Sequence, residues 1–123
     1  MESLASADLA ALVSDWLTWE QVADLLAVTP AKVKTMVKSH ELAAARPGGS
    51  GRPAVPALFI DDEEGWVVKG LPGLLTVLHD GGYGDHECIA WLFTDQDLPG
   101  RPIDALRENR GSEVKRRAQA MAF

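Results

Sequence analysis

Cysteine is almost absent from this sequence, and long hydrophobic runs are absent altogether. The single cysteine, Cys88, excludes an internal disulfide and a zinc site made of several cysteines. The apolar runs extend over only a few residues, which is too short for a membrane-spanning helix. No basic segment precedes an apolar stretch at the start, so we expect no secretory signal, no membrane association and a cytoplasmic protein.

Basic residues are missing from the first part of the chain and concentrated in one window. Residues 1–29 have five acidic residues and no Lys or Arg, whereas residues 30–53 have five basic residues and one acidic residue. Residues 54–123 are acidic again, and the whole chain of 123 residues has a net charge of −6. A basic window in an acidic chain indicates either a nucleic-acid contact or a solvated helix face, and charge alone does not decide between them.

The basic window coincides with a pattern of two short helices. Thr18 and Gln21 have the spacing of a capping box, which predicts a helix that ends near Ala27. Thr29 followed by Pro30 predicts the start of a second helix, because proline needs no partner for a backbone N–H at the first helical position. The apolar positions of the two helices are predicted to face inward: Trp19, Val22, Ala23, Leu25 and Leu26 in the first, and Val33, Met36 and Val37 in the second.

A glycine-rich turn follows this helix-turn-helix pattern. Two short extended runs, Leu42–Arg46 and Arg52–Val55, flank Pro47–Gly51 and predict a β-hairpin in the position of a wing. Residues 61–64 are predicted to form a solvated acidic loop, and residues 66–69 a strand that completes a small sheet with the wing.

The remaining apolar stripes are helical in spacing. We predict a mainly α fold with a small β-hairpin wing: a winged helix-turn-helix followed by a C-terminal helical bundle. Residues 1–17 form a short helix or arm, residues 18–69 the winged helix-turn-helix, and residues 70–123 a helical region packed on it. The C-terminal helices are predicted at about residues 71–78, 85–93, 102–108 and 112–122, with Ser112 as the cap of the last.

Three stretches of the sequence resemble known families. Residues 17–30, continued through the hairpin, resemble the winged helix-turn-helix of excisionases and MerR-type proteins. Residues 67–83, 91–93 and 117–122 resemble a small actinobacterial family of DNA-binding proteins whose mycobacterial member is a substrate of the serine/threonine kinase PknL. This resemblance implies a regulatory winged-helix protein. Residues 101–106 and 111–114 are more loosely similar to the helical C-terminal domains of antitoxins.

Together, the pattern, the charge and the resemblance predict a DNA-binding transcriptional regulator. The second helix would enter the major groove of double-stranded DNA, and the wing would reach the minor groove or the flanking backbone. The predicted contact residues are Lys32, Lys34, Thr35 and Lys38 on the helix, Ser39 and His40 at its end, and Arg46 and Arg52 on the wing. The alternative is a protein-interaction module, antitoxin-like or dimerising, that acts through the C-terminal helices.

Catalysis and metal binding have little support in the sequence. His79 with Asp80 and His86 with Glu87 are neighbours along the chain, and adjacent side chains do not face each other on a helix. His86 and Cys88 supply only two metal ligands, so we expect Cys88 to be a buried thiol. Hence we expect no enzyme, no cofactor and no metal. Three tryptophans, Trp19, Trp66 and Trp91, are predicted to pack in the core rather than to stack on bases.

The family resemblance also suggests a modification and further partners. Thr29 and Thr35 are the candidate phosphorylation sites, with a serine/threonine protein kinase as the partner. A phosphate there would add negative charge to the DNA-facing helix and weaken binding. A homodimer, or a protein partner bound through the C-terminal helices, is compatible with DNA binding because helix-turn-helix proteins often read paired half-sites.

Overall fold

The order of the structural elements follows the predicted pattern closely. The structure is a computed structural model that describes Leu4, residues 7–49 and residues 51–121. The first half of the chain contains α1 (Leu9–Leu12), β1 (Trp16–Leu17), α2 (Trp19–Leu26), α3 (Pro30–Lys38), β2 (Val55–Pro56), a 3-10 turn (Ala57–Phe59), β3 (Ile60–Asp61) and β4 (Trp66–Val67). The C-terminal helices are α4 (Leu71–Asp80), α5 (Asp85–Leu92), α6 (Pro102–Arg107) and α7 (Gly111–Gln119). The predicted fold class, mainly α with a small β-hairpin wing, is confirmed.

Helices α2 and α3 begin at the two predicted caps. The Thr18 hydroxyl accepts the Gln21 N–H at 3.1 Å, and the Gln21 side chain accepts the Thr18 N–H at 2.9 Å. The Thr29 hydroxyl accepts the Lys32 N–H at 3.1 Å. Ala27 closes α2 in the left-handed region, with φ of 57°, and thereby turns the chain sharply into α3. Both helices are therefore fixed at their ends by contacts within a few residues.

The wing is a hairpin held by one bridge. The Ala45 and Ala54 backbones exchange two N–H···O bonds of 3.0 and 2.8 Å across the glycine-rich turn. The predicted pairing of the two extended runs is confirmed, although it is shorter than the sequence suggests. Within the turn, Ser50 lies outside the described residues.

The N-terminal segment supplies the strand that pairs with the end of the wing. Strand β1 runs antiparallel to β2, with Trp16 opposite Pro56 and Leu17 opposite Val55. The predicted short helix is present as α1, and Asp8 caps it by accepting the Ala10 N–H. Residues 1–3 and 5–6 of the predicted arm lie outside the described residues.

Residues 66–69 do not pair with the wing, so that prediction is wrong. Instead β4 pairs with β3 in a separate hairpin, with Ile60 opposite Val67 and Asp61 opposite Trp66. The Asp61 carboxylate accepts the N–H groups of Glu63 and Glu64, and so closes the acidic loop onto the strand just before it. A local hairpin orders a much shorter loop than a distant pairing, and β2 is already paired with β1.

Two apolar residues predicted to be buried lie at the surface. Trp66 is 43% exposed and Leu25 is 40% exposed. Trp66 follows the tight acidic turn, and alternation along β4 places Val67 on the buried side instead. Leu25 lies off the α2 face formed by Val22, Ala23 and Leu26, which are buried. The prediction that these two side chains pack in the core is therefore wrong.

The C-terminal helices contain about half of the buried apolar residues. All residues of α5 from Cys88 to Leu92 are buried, and Trp91 is only 1% exposed. Helix α4 packs against α5 and α7, and α6 packs against α7. Helix α7 begins at Gly111 without a side-chain cap, so Ser112 is not its cap, and it ends at Gln119. Ala122, the predicted end of the last helix, lies outside the described residues.

Several contacts join the C-terminal helices to the first half of the chain. The Arg107 guanidinium donates from α6 to the carbonyl oxygens of Leu58 and Ile60, at 2.8 and 3.0 Å. His86 Nε2 lies 3.0 Å from the carbonyl oxygen of Ala7, and α1 packs on α5. These contacts hold the winged half against the helical half.

Candidate nucleic-acid interface

Helix α3 presents a polar face to solvent. Val33 and Met36 are fully buried and attach the helix to the core, while Val37 is half-buried at the edge. The side chains on the other face are all exposed: Lys32, Lys34, Thr35 and Lys38. The outward orientation predicted for these four residues is confirmed.

A shallow groove of about 260 Å³ lies between α3 and the wing. Lys34 and Lys38 line it from the helix, and Arg46 lines it from the wing. Cations from two elements that are separate in the sequence therefore surround one surface depression. The remaining lining residues are Trp19, Val37, Ala44, Ala45 and Pro53, most of them apolar.

The two wing arginines have different surroundings. The Arg46 Nε–H donates to the carbonyl oxygen of Gly51 at 2.8 Å, which braces the hairpin. The Arg52 side chain is 91% exposed, and its guanidinium lies 4.0 Å from the Glu20 carboxylate. So wide an ion pair between exposed side chains is weak, and it leaves the Arg52 guanidinium accessible to other anions.

Three further predicted contact residues, all in or after α3, also have partners within the protein. The Thr35 hydroxyl donates to the Ala31 carbonyl oxygen at 3.1 Å. The Ser39 hydroxyl lies 3.0 Å from the Thr35 carbonyl oxygen and 3.0 Å from a Glu41 carboxylate oxygen. The His40 ring stacks on the His79 ring, with 3.8 Å between the centroids. Thus the structure turns His40 toward the C-terminal helices rather than toward the groove.

Sequence reasoning missed the largely apolar lining of the groove, which includes Trp19 and Pro53. Trp19 was predicted to pack in the core, but it is half-buried and forms part of the groove wall. Pro53 was noted only as part of the wing. The one available signal is their position, since Trp19 begins α2 and Pro53 adjoins Arg52 on the returning strand of the wing.

The Cys88 thiol has low reactivity at neutral pH. Its side chain is fully buried, and burial, with smaller contributions from the carboxylates of Asp85 and Glu87, raises the pKa of its thiol to about 12. A thiolate is the nucleophilic form of cysteine, so this residue has little of it at neutral pH. The prediction of a buried thiol is confirmed.

Helices long and apolar enough to cross a bilayer are not found among the described residues.

Comparison with known proteins decides the family. The model of the "DNA-binding protein Rv2175c, wHTH domain" matches residues 5–60, and the model of the "Rv2175c C-terminal domain of unknown function" matches residues 68–122. This chain belongs to the Rv2175c family. The match covers both the helix-turn-helix with its wing and the C-terminal helices, so the predicted architecture and the resemblance to an actinobacterial DNA-binding family are both confirmed.

Rv2175c itself is similar along most of its length. The DNA-binding protein Rv2175c of Mycobacterium tuberculosis (strain ATCC 25618 / H37Rv) is 43% identical to this chain, over 84% of this chain and 77% of that protein. The NMR structure of Rv2175c superimposes with a TM-score of 0.78 at 42% identity, and the match covers 89% of this chain and 82% of that one. Phosphorylation by a kinase remains a prediction.

Proposed function

We propose that this member of the Rv2175c family binds double-stranded DNA and acts as a non-catalytic transcriptional regulator in the cytoplasm. The observation that carries the proposal is the groove in which Lys34 and Lys38 of α3 face Arg46 of the wing. Cations placed on α3 and on the wing, on either side of one surface groove, can contact separate phosphates of a DNA duplex. The relative Rv2175c, named a DNA-binding protein, supports the same function.

In the proposed complex, α3 lies in the major groove. Lys32, Lys34 and Lys38 contact phosphates or guanine edges, and Thr35 contacts a base or a thymine methyl group. Arg46 and Arg52 contact the neighbouring minor groove or the backbone. Ser39 and His40 contribute least, because the first lies beside the Glu41 carboxylate and the second stacks on His79.

The acidic parts of the chain orient the complex. Residues 1–29 and 54–123 each have a net charge of −5, against +4 for residues 30–53. DNA repels the acidic surfaces and attracts the basic window, so one face of the protein is favoured and non-specific binding is weak. On this basis we place the DNA contacts in the basic window of the winged helix-turn-helix region, residues 18–69, with residues 1–17 as an arm and residues 70–123 as the helical support.

Fluorescence anisotropy of a labelled duplex at several salt concentrations tests this proposal. Contact with four or five phosphates gives a slope of roughly −4 in a plot of log affinity against log salt concentration. The double variant Lys34→Glu/Lys38→Glu should reduce the slope to about −2 and lower the affinity strongly, because two phosphate contacts are lost.

A matched control separates local contact from overall charge. Lys115→Glu/Arg116→Glu makes the same change in charge on exposed residues of α7. This control should keep most of the salt slope. Equal losses of DNA affinity in the two double variants would contradict the assignment of α3 to the DNA groove. Undiminished DNA binding by the α3 variant would also contradict it.

Phosphorylation of Thr35 would regulate this interface. Its hydroxyl is on the exposed face of α3, whereas the Thr29 hydroxyl is engaged in capping the helix. A phosphate on Thr35 adds up to two negative charges beside Lys32 and Lys38 and should weaken DNA binding. Phosphopeptide mapping after treatment with a serine/threonine kinase tests this regulation, and label confined to residues outside α3 would end it.

We propose that the protein also self-associates, or binds a protein partner, through its C-terminal helices. A dimer could place two α3 helices about 34 Å apart, one turn of DNA. Sedimentation equilibrium with and without duplex tests this point. A protein that stays monomeric in both conditions would bind DNA as a single winged unit.

A further inference from the structure

Side chains from three separate elements meet at the junction between the two halves of the molecule. His40 lies just beyond the end of α3, His79 is in the last turn of α4, and Asp85 begins α5. One ligand atom from each of them lies within 4.8 Å of the other two. Over the described part of the chain, this is the one group of three or more His, Cys, Asp or Glu residues with that geometry.

The polar atoms of this group are poorly satisfied by the protein. His40 Nδ1 and His79 Nε2 are both buried and have no hydrogen-bond partner within the described structure. Asp85 Oδ1 lies 3.0 Å from His79 Nε2, yet the two groups do not have hydrogen-bond geometry. Buried polar atoms are normally paired, so two imidazole nitrogens without a hydrogen bond beside a carboxylate form an arrangement that a bound ion or water completes.

The surrounding structure holds each side chain in place. The second carboxylate oxygen of Asp85 accepts the Ala44 N–H at 3.2 Å, which leaves the first oxygen directed at His79. His40 occupies a left-handed position, with φ of 63°, in the turn that ends α3, and its ring stacks on that of His79. A hydrogen bond such as that from Ala44 to Asp85 orients carboxylate ligands in known metal sites. The stacked imidazole rings turn relative to each other when both nitrogens face one ion, because an imidazole binds a metal in the plane of its ring.

We propose that His40, His79 and Asp85 bind a divalent transition-metal ion such as Zn²⁺. Two imidazoles and one carboxylate suit zinc and its neighbours, whereas Ca²⁺ and Mg²⁺ prefer oxygen ligands throughout. In a tetrahedral zinc site the ligand atoms are about 3.3 Å apart, close to the observed His79–Asp85 separation. Three protein ligands leave the fourth position to water or to another small ligand.

A metal at this point would join the DNA-facing elements to the C-terminal helices. His40 follows α3 directly, and the Ala44 N–H bonded to Asp85 belongs to the start of the wing. Binding of the ion would therefore fix α3 and the wing relative to α4 and α5. The consequence for DNA affinity rests on the proposed function, whereas metal binding itself does not.

Titration of the tag-free, metal-depleted full chain with ZnCl₂ in a calorimeter tests the site. We expect one equivalent to bind, and we expect the thermal unfolding midpoint to rise by roughly 10 °C at a free zinc concentration of about 100 times Kd. Co²⁺ should bind with the visible absorption of a four-coordinate ion. Absence of a one-equivalent response to both metals would overturn the proposal.

Variants identify the ligands. His40→Gln, His79→Gln and Asp85→Asn should each weaken zinc binding by about a hundredfold or more. His86→Gln is the matched control, because His86 contacts the Ala7 carbonyl oxygen and lies outside the group. Asp85→Asn retains an acceptor for the Ala44 N–H, so its loss of zinc reflects the charge and not the fold, which circular dichroism checks independently.

The outcomes separate this site from the proposed function. Zinc affinity that survives His40→Gln and His79→Gln, or that is lost only in His86→Gln, assigns the metal elsewhere and overturns the proposal. Duplex affinity measured with and without zinc forms a separate arm of the experiment. A chain that binds zinc through these residues but never binds DNA would refute the proposed function and leave the metal site standing.

Discussion

The winged half and the C-terminal half of the molecule fix their helices in different ways. Helices α2 and α3 begin at threonine hydroxyls that accept backbone N–H groups, and each buries only a few side chains. Helices α4, α6 and α7 have no side-chain cap of this kind, and α4 and α5 bury most of their apolar residues. The helix pair of the winged half is thus fixed at its ends by threonine side chains, whereas α4, α6 and α7 are held by packing without such caps.

This difference fits the different charge of the two halves. The exposed face of α3 consists of lysines and a threonine, which contribute nothing to a core, so the helix depends on its cap and on Val33 and Met36. The acidic C-terminal half supplies the apolar mass against which the winged half rests. A surface suited to DNA can thus be kept polar because its support lies in another part of the chain.

Removal of a core aromatic residue should have the largest effect. Trp91→Ala deletes a side chain that is 1% exposed and whose indole N–H lies 3.0 Å from Met121 Sδ, and it should destabilise the protein by about 3–5 kcal/mol. Urea unfolding measures this change. Trp66→Ala is the matched control at a site 43% exposed, and it should cost far less. Similar losses of unfolding free energy at both positions would contradict the distinction between a core and a surface tryptophan.

Removal of a bridge between the halves should have an intermediate effect. Arg107→Met leaves the carbonyl oxygens of Leu58 and Ile60 without their charged donor. It should lower the free energy of unfolding by about 1.5 kcal/mol after allowance for solvent screening. Urea unfolding followed by two probes, one in each half, would show whether the halves then separate. Arg116→Met on α7 is the control, and a loss of the same size there would contradict the bridging role.

Alkaline pH should weaken the C-terminal half through Cys88. Its pKa is raised to about 12 in the folded protein from an ordinary value of 9.0, so the folded state retains a proton that the unfolded state releases. The contribution of Cys88 to the free energy of unfolding is therefore fully present below pH 9 and is lost between pH 9 and 12. At pH 10 the loss is about 1.4 kcal/mol. The difference in unfolding free energy between the wild type and Cys88→Ala at pH 7 and pH 10 isolates this contribution. A difference that does not change with pH would contradict it.

Loss of a helix cap should have the smallest of these effects. Thr29→Ala removes the acceptor of the Lys32 N–H and should cost about 1 kcal/mol in urea unfolding, with a further decrease in DNA affinity as the first turn of α3 frays. Thr29→Ser keeps the hydroxyl and should behave almost as the wild type. If serine and alanine destabilise equally, capping is not what secures this half.

Local features of the fold could be predicted from the sequence, and distant ones could not. The caps at Thr18 and Thr29 depend on residues three positions away, so their pattern is visible in the chain. The pairing of β1 with β2 joins segments on either side of the helix-turn-helix, and two-residue strands have no periodicity that would identify partners. Trp66 was misassigned for the same reason, since its hydrophobic neighbours do not reveal which side of a two-residue strand faces the core.

The candidate interface follows the same rule. The exposure of Lys32, Lys34 and Lys38 could be predicted because helical spacing separates them from Val33 and Met36. The meeting of Lys34 and Lys38 with Arg46 depended on recognising the wing, and the one signal for Trp19 and Pro53 was their position at the start of α2 and beside Arg52. His40, His79 and Asp85 lie on separate elements, and only the contact of the chain after α3 with α4 and α5 brings them together.

The pairing of β1 with β2 also constrains the order in which the protein takes shape during synthesis. Residues 16–38 leave the ribosome before Val55 and Pro56, which pair with the strand that precedes α2. The helix pair to which we assign DNA contact is therefore synthesised before the strand that closes it. Strand β1 stays unpaired until the whole wing has been synthesised, so the helix-turn-helix completes its fold only once the chain that follows it is available.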